Sequence, residues 1–165
     1  MPEVTLLERS HDRAGFDCGV AELNSFLRKT ARQHGQKGIS RTFVLTDGGP
    51  QILGFFTLTL CEVLPDELPP AYAARFPAHR LPAVRLARLA VSRSEQGKHY
   101  GSLLLAEAVY RTLLIAEQAG LIGLFVDAKD ENARRFYERF GFMSLPDHHL
   151  QLFLPIETIR KSYPA

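Results

Sequence analysis

Two glycines four positions apart mark the segment of this chain that is best suited to bind an anion. In EQGKHYGSLLL, which runs from Glu95 to Leu105, Gly97 and Gly101 precede a long apolar segment. The first N–H groups of a helix have no partner within the helix, and the aligned peptide dipoles leave that end partly positive. A glycine loop that enters a helix can therefore hold a phosphate group, with Lys98 and Ser102 as further donors.

This loop fits neither of two common phosphate-binding patterns. A dinucleotide-binding loop reads GxGxxG with an acid about 20 residues later, and a P-loop has GK followed by Ser or Thr. The chain has GKHYGS, in which His99 stands where glycine would be the easier choice. The backbone N–H of a histidine can still donate, but the position is strained if it requires positive φ.

The segments around the loop predict an α/β fold. Their order is strand, helix, three strands, helix, strand, helix, strand. The strand VRLARLAV leads through the loop into a helix from Gly101 to Ala119 and then to the short apolar strand LFVDA, which makes the two strands parallel. Sheets of this kind bind ligands at the carboxyl ends of their strands.

Two motifs in this order resemble the GNAT superfamily of N-acetyltransferases. The spacing Gln96-x-x-His99-x-Gly101 is similar to the pyrophosphate loop of that family, except that the family has glycine at the position of His99. The second motif, ENARRFYERFGF, runs from Glu131 to Phe142 after a buried strand. The resemblance implies one GNAT domain over residues 1–165. Its expected fold is a mixed, mostly antiparallel sheet of six to seven strands with a central splayed parallel pair and about four helices.

The resemblance also implies that acetyl-CoA is the acetyl donor and that no metal takes part. The end of VRLARLAV would pair with the pantetheine arm, and an N–H there would stabilise the thioester oxygen, an effect worth about 3 kcal/mol. A plain core strand and a helix cap at Asn132 are the structural alternatives. The residues expected to contact acetyl-CoA are Leu89, Ala90, Val91, Gln96, Gly97, Lys98, His99, Tyr100, Gly101, Ser102, Asn132 and Phe136.

Tyr137 is the expected general acid, because the resemblance places its hydroxyl near the CoA sulfur. A phenol with a pKa of about 10 is protonated at neutral pH and can donate to a thiolate. The same side chain also lies on an apolar stripe with Phe136 and Phe140, where an aromatic residue usually belongs to the core.

No general base is evident, since Glu62 and Asp66 are only plausible candidates. An α-amine with a pKa of about 8 is partly neutral at pH 7, whereas a lysine side chain would be mostly charged. The missing base therefore favours an α-amine as the substrate.

Three segments are together similar to a subfamily, the TacT-like acetyltransferase toxins of bacterial type II toxin–antitoxin modules. They are FDCGVAELNSFLRKTARQ near the N-terminus, the strand RLARLAV and the helix FYERFGF. This resemblance implies acetylation of aminoacyl-tRNA, a block of translation, and a small DNA-binding antitoxin as partner. It leaves a homodimer open.

Two basic runs without acidic residues suit such a substrate. They extend from Arg28 to Arg41 and from Arg75 to Arg93, although the formal net charge is only +2. If they share a face, that face would attract RNA phosphates; two ordinary solvated surfaces are the alternative. The residues expected to contact RNA are Arg28, Lys29, Arg32, Arg75, Arg80 and Arg85.

The composition of the 165 residues is that of one soluble globular domain. No apolar run approaches the ~18 residues that span a bilayer, and the N-terminus lacks the pattern of a signal peptide, so we expect a cytoplasmic protein. Cys18 and Cys61 are expected to be reduced and structural. Two other functions stay open: a GNAT enzyme for a small amine or a protein N-terminus, and a catalytically silent module that binds acyl-CoA or RNA.

Overall fold

The computed structural model describes residues 2–164, which contain seven strands and a set of mostly short helices. The strands are β1 (Glu3–Leu6), β2 (Arg41–Thr46), β3 (Gly54–Val63), β4 (Leu81–Val91), β5 (Gly123–Asp127), β6 (Met143–Leu145) and β7 (His148–Pro155). The helical segments are α1 (Ala21–Ser25), a π-helical segment (Phe26–Thr30), α2 (Ala31–Gln36), α3 (Pro70–Ala73), α4 (Tyr100–Gln118), α5 (Glu131–Arg139) and α6 (Ile156–Ser162).

The strands of the described residues form one sheet in the order β1-β2-β3-β4-β5-β7-β6. The pairs β1–β2, β2–β3, β5–β7 and β6–β7 are antiparallel, whereas β4 and β5 are parallel. The parallel ladder runs from Val84 opposite Leu124 to Leu86 opposite Val126, and β4 continues beyond it to Val91. The predicted α/β fold with a mostly antiparallel sheet and a parallel pair is confirmed.

The chain divides into two compact units. The first consists of Met1–Thr59 and Ala87–Ala108, and the second of Leu60–Leu86 and Val109–Ala165. The expectation of one catalytic domain over residues 1–165 therefore stays a prediction.

The core of the first unit is built around aromatic rings. Phe55 of β3 contacts Phe16 edge-on, with 5.4 Å between ring centroids, and stacks on Phe26 at 6.4 Å. The helix predicted after the first strand is present as α1, the π-helical segment and α2 in direct succession. The core residues of this unit are Phe16, Cys18, Phe26, Leu27, Ala31, Val44, Ile52, Phe55 and Ala90.

The FDCG segment has a structural role at the start of α1. Asp17 Oδ1 accepts hydrogen bonds from the Gly19 N–H and from Asn24 Nδ2, each at 2.9 Å. Asn24 Oδ1 in turn accepts from the Cys18 N–H at 2.9 Å. These bonds lower the pKa of Asp17, with the Gly19 N–H as the largest cause, and they fix the turn that begins the helix.

The core of the second unit lies between β4, β5 and β7 and the segment that follows β3. Phe125 stacks on Phe153 with 4.7 Å between ring centroids, and Tyr72 of α3 meets Phe153 edge-on at 5.9 Å. Strand β6 and helix α6 were not predicted, because a strand of 3 residues and a helix of 7 residues are too short to give a clear period. The core residues are Val63, Leu68, Leu81, Ala83, Ile122, Phe125, Leu145 and Phe153.

Candidate active site

The glycine loop of the first unit has the backbone of an anion site. Gly97 has φ of +88°, and His99, with φ of 64°, is the sole non-glycine residue with positive φ in the described part of the chain. The Leu103 N–H donates to the His99 carbonyl at 3.2 Å. The N–H groups of Tyr100, Gly101 and Ser102 precede this first bond of α4 and lack an intrahelical acceptor. The loop therefore fits an anionic group such as a pyrophosphate.

Two side chains of the loop hold it in place. Gln96 Nε2 donates to the carbonyl oxygens of Val91, at 3.2 Å, and of Cys18, at 3.4 Å. Lys98 Nζ lies 2.6 Å from Glu95 Oε2, and the hydrogen bond to Glu95 raises the pKa of Lys98. Gln96 thus ties the loop to the end of β4, and the charge of Lys98 is shared with a carboxylate.

The end of β4 has one face in the core and one face more open. Ala90 is 6% exposed and belongs to the core, whereas Leu89 and Val91 are half-buried. A Cβ at Gly54 would lie 2.8 Å from Leu104 Cδ1 of α4 and 2.9 Å from the Ala90 carbonyl oxygen. Glycine at this position therefore allows α4 and β3 to approach the strand closely.

Helix α5 of the second unit presents Tyr137 to its core. Asp130 caps the helix, since its Oδ1 accepts from the Ala133 N–H at 2.8 Å. Asn132 is therefore not the cap, contrary to the structural alternative drawn from the sequence. Its Oδ1 instead accepts from Arg135 Nη2 at 2.8 Å, and its side chain is exposed.

The Tyr137 ring is buried, but its hydroxyl makes no hydrogen bond within residues 2–164. The residue is 7% exposed, and its ring meets those of Phe136 and Phe142 edge-on, with centroid distances of 5.2 and 5.6 Å. Burial raises the pKa of Tyr137 to about 12. The hydroxyl keeps some accessible surface, since Ser40 Oγ is the one fully buried side-chain polar atom without a partner in the described chain. A protonated donor is thus available to a ligand.

The six predicted RNA contacts fall into two groups with different surroundings. Arg28, Lys29 and Arg32 lie in the π-helical segment and α2, and their side chains make no ion pair or hydrogen bond with any described residue. Arg28 and Lys29 are exposed, and Arg32 is half-buried. This first group is open to an anionic partner.

The second group is already paired with acids of the second unit. Arg75 forms an ion pair with Glu157, Arg80 Nε lies 3.9 Å from Glu62 Oε2, and Arg85 Nη1 lies 2.9 Å from Asp127 Oδ2. The acid-free run in the sequence is therefore neutralised by residues from elsewhere in the chain. An RNA phosphate would have to compete with these carboxylates.

Arg88 is a cation of β4 that is not among the residues expected to contact RNA or acetyl-CoA. Its guanidinium carbon lies 3.6 Å from the centroid of the Phe26 ring, and burial lowers the pKa of Arg88. The only sequence signal is an arginine within the otherwise apolar pattern of LARLAV. Among the described residues there is no group of three or more His, Cys, Asp or Glu side chains that could hold a metal ion.

Both cysteines are free thiols. Cys18 is buried in the core of the first unit. Burial is the largest influence on Cys61 and raises the pKa of its thiol. Both residues therefore behave as small structural side chains, as the sequence predicted.

The chain is similar to known acetyltransferases in sequence. A family model described as an acetyltransferase (GNAT) domain matches residues 38–144. The chain is 35% identical over 149 residues to a tRNA-acetylating toxin of Mycobacterium tuberculosis, with 90% of this chain and 89% of that protein covered. It is 31% identical over 159 residues to a probable toxin TacT of Sinorhizobium fredii, with 91% and 88% covered.

Solved structures show the same similarity. AtaT complexed with acetyl-methionyl-tRNAfMet has a TM-score of 0.91 and 30% identity, with 99% of this chain and 100% of that chain covered. A tyrosine-to-phenylalanine variant of AtaT bound to acetyl-CoA and the C-terminus of the antitoxin AtaR has a TM-score of 0.84 and 30% identity, with 99% of each chain covered. The AtaT–AtaR complex bound to DNA has a TM-score of 0.79 and 30% identity, with 98% and 99% covered.

Proposed function

Since the chain belongs to the GNAT family of acetyltransferases, we propose that it acetylates the α-amine of aminoacyl-tRNA and acts as a toxin that blocks translation. The observation that carries this proposal is the 35% identity to a tRNA-acetylating toxin over nine-tenths of this chain. Neither activity on a small amine nor silent binding of acyl-CoA has comparable support, because the sequence similarity covers 89% of the tRNA-acetylating relative.

The donor is acetyl-CoA, which supplies an activated acetyl thioester. The N–H groups of Tyr100, Gly101 and Ser102 and the two left-handed residues Gly97 and His99 fit its pyrophosphate. The end of β4, from Leu89 to Val91, offers the pantetheine arm a partly open strand. We assign Asn132 and Phe136 to the same ligand on the strength of the family resemblance.

Tyr137 is the proposed general acid. A phenol with a pKa of about 12 keeps its proton throughout the neutral range, so it acts as a donor and not as a base. Its hydroxyl has no competing partner among the described residues, and one of the relatives with bound acetyl-CoA is a tyrosine-to-phenylalanine variant. The amine substrate needs no base from the chain if its neutral fraction attacks directly.

The partners follow from the relatives. AtaT binds the antitoxin AtaR, and the AtaT–AtaR complex binds DNA. We propose a small DNA-binding antitoxin as the partner of this chain and the cytoplasm, where charged tRNA occurs, as its location. We further propose that residues 1–165 act as one catalytic domain, because the relatives align over nine-tenths of the chain.

The proposal is tested by incubating the protein with labelled acetyl-CoA and total charged tRNA. Label is expected on the aminoacyl group and not on deacylated tRNA. Label that appears equally on free amino acids or polyamines would favour a small-molecule enzyme, and no transfer at all would leave a binding module.

The catalytic assignment is tested by Tyr137→Phe. Loss of the general acid should lower kcat by about 100-fold or more, while the ring packing and the affinity for acetyl-CoA stay unchanged. The matched control is Tyr110→Phe, at a tyrosine that is 39% exposed on α4. A fully active Tyr137→Phe enzyme would contradict the role.

A further inference from the structure

Arg88 is a half-buried guanidinium without a polar partner. The guanidinium lies over the Phe26 ring, and none of its N–H groups reaches an acceptor among residues 2–164. The pKa of Arg88 is shifted by burial and by no nearby carboxylate. A guanidinium has five donors in a planar fork that matches a phosphate, so these donors are available to a ligand.

The surroundings of Arg88 favour an anionic ligand. Phe26 begins the π-helical segment that contains Arg28 and Lys29, and Arg13 Nη1 donates to the Arg28 carbonyl at 3.2 Å. Arg28 and Lys29 therefore lie in the π-helical segment, and Arg13 contacts its backbone. Arg88, Arg28, Lys29 and Arg13 are thus four positive side chains of the first unit that lie in this segment or contact it, and no described carboxylate forms an ion pair with any of them.

The place of Arg88 in β4 connects this charge to the proposed reaction. It directly precedes Leu89, the first of the strand residues assigned to the pantetheine arm. Arg88 and Ala90 lie on the same face of β4, because side chains alternate along a strand, and this is the face that packs against Phe26. An anion bound here would belong to a ligand that approaches from the side of the π-helical segment.

We propose that Arg88 binds a phosphodiester at the 3′ end of the aminoacyl-tRNA and thereby selects charged tRNA over free amino acids. This inference rests on the proposed function. The Phe26 ring holds the planar guanidinium from below, since a cation over an aromatic face is attracted by the ring. The donors at the edge of the guanidinium stay open for the phosphate oxygens.

Arg88 could bind a phosphate of acetyl-CoA instead of a phosphodiester of the tRNA, and the test distinguishes these two ligands. Arg88→Met keeps an unbranched apolar side chain over Phe26 and removes the charge. We expect KM for charged tRNA to rise by about tenfold or more, which corresponds to the loss of one bidentate contact. The affinity for acetyl-CoA, measured by calorimetry, and the rate with an amino acid ester should not change.

The salt dependence gives a readout that a purely structural role would not move. Removing one phosphate contact should reduce the slope of log(kcat/KM) against log[salt] by about 0.7 to 0.9. Arg88→Lys keeps the charge but not the planar fork and should lie between the wild type and Arg88→Met. Phe26→Leu keeps an apolar core and should raise KM for charged tRNA by about two- to fivefold. Arg160→Met, at an exposed arginine of α6, is the control with the same change of charge.

The outcomes separate the inference from the proposed function. A wild-type protein that does not acetylate charged tRNA would refute the proposed function whatever Arg88 does. A wild type that acetylates charged tRNA, together with an Arg88→Met enzyme of unchanged KM and salt slope, would refute only the inference. A loss of acetyl-CoA affinity in a folded Arg88→Met protein would assign Arg88 to the donor and would also overturn it.

Discussion

The environment of Tyr137 links its proposed role to the stability of the protein. Burial raises its pKa from about 10 to about 12. Between these values the unfolded chain releases the proton while the folded protein keeps it, so the stabilising contribution is complete below pH 10 and is lost as pH rises toward 12. The loss should be about 1.4 kcal/mol at pH 11.

This loss is measured by urea unfolding of the wild type and of Tyr137→Phe at pH 8 and pH 11. The stability of the wild type relative to the variant should fall by about that amount between the two pH values. Tyr110→Phe, at an exposed ring, should follow the wild type. A difference between the wild type and Tyr137→Phe that does not depend on pH would show that the Tyr137 hydroxyl is solvated.

His99 occupies a backbone conformation that favours glycine. With φ of 64° it lies in the left-handed region, where a side chain costs about 1–2 kcal/mol. Strained residues of this kind cluster at ligand-binding loops, and here the N–H groups of the three residues that follow His99 lack an intrahelical acceptor. Histidine in place of the family's glycine at position 99 therefore lowers the local stability of the loop.

The effect of this departure is measured with His99→Gly and His99→Ala. His99→Gly should relieve the strain and raise the free energy of unfolding by about 1 kcal/mol, part of the gain being offset by the greater freedom of glycine in the unfolded chain. Calorimetry should show less than a tenfold change in acetyl-CoA affinity. His99→Ala keeps the strain and removes the imidazole, so it should match the wild type in stability. A gain in affinity far above tenfold in His99→Gly would mean that histidine cripples the native loop.

At the scale of elements, the helix that contains Tyr137 is defined at both ends by local signals. Asp130 caps its N-terminus, and at its C-terminus Gly141 has φ of +99° with its N–H bonded to the Glu138 carbonyl at 2.9 Å. The Phe142 N–H bonds to the Tyr137 carbonyl at 3.3 Å, which completes a Schellman motif. These two ends fix how far Tyr137 lies along the helix.

The N-terminal cap is tested by comparing Asp130→Ala with Asn132→Ala. Asp130→Ala should lower the free energy of unfolding by about 1 kcal/mol, since it leaves the Ala133 N–H without an acceptor. Asn132→Ala removes only an exposed bond to Arg135 and should change stability by less than about 0.5 kcal/mol. Urea unfolding measures both, and equal losses would contradict the assignment of the cap.

The sequence predicted those elements whose signal is local and regular. The apolar run of α4, the β-branched and aromatic strands β2 and β3, and the glycine that ends α5, Gly141, were all readable from composition, period and turn chemistry. The cap at Asp130 and not Asn132 was not readable, because both residues are good caps and only the backbone conformation decides between them. The π-helical segment was equally hidden, since each of its hydrogen bonds spans only one residue more than in an α-helix.

The candidate site was less predictable than the fold because it depends on contacts between distant positions. Glycines and a tyrosine can be read from motifs, but the hydrogen bond from Gln96 to the Cys18 carbonyl joins positions far apart in the sequence and requires the folded chain. Arg88 likewise could not be selected from the sequence, because its interest lies in a guanidinium that packs on Phe26 and has no polar partner among the described residues. Sequence proximity to other arginines placed it in a run and gave no reason to select it.

At the scale of the whole molecule, charge is distributed more unevenly than the net value of +2 suggests. Arg28, Lys29 and Arg32 have no ion pair among the described residues, whereas the partners of Arg75, Arg80 and Arg85 are Glu157, Glu62 and Asp127. An exposed ion pair contributes little to stability, but the carboxylate lowers the local positive potential that an RNA phosphate would meet. The two groups should therefore contribute unequally to the binding of tRNA.

Two triple variants measure this inequality. Replacing Arg28, Lys29 and Arg32 by glutamine should reduce the slope of log(kcat/KM) for charged tRNA against log[salt] by about 2, because each lost phosphate contact accounts for 0.7 to 0.9. Replacing Arg75, Arg80 and Arg85 by glutamine removes the same charge and should change the slope by less than about 1, since these arginines already form ion pairs with carboxylates. The slope is measured between about 50 and 200 mM salt, with an amino acid ester as the substrate without phosphates. Equal changes in the two variants would show that the ion pairs open when RNA binds. A wild-type activity that does not depend on salt would show that contacts to tRNA phosphates do not contribute to it.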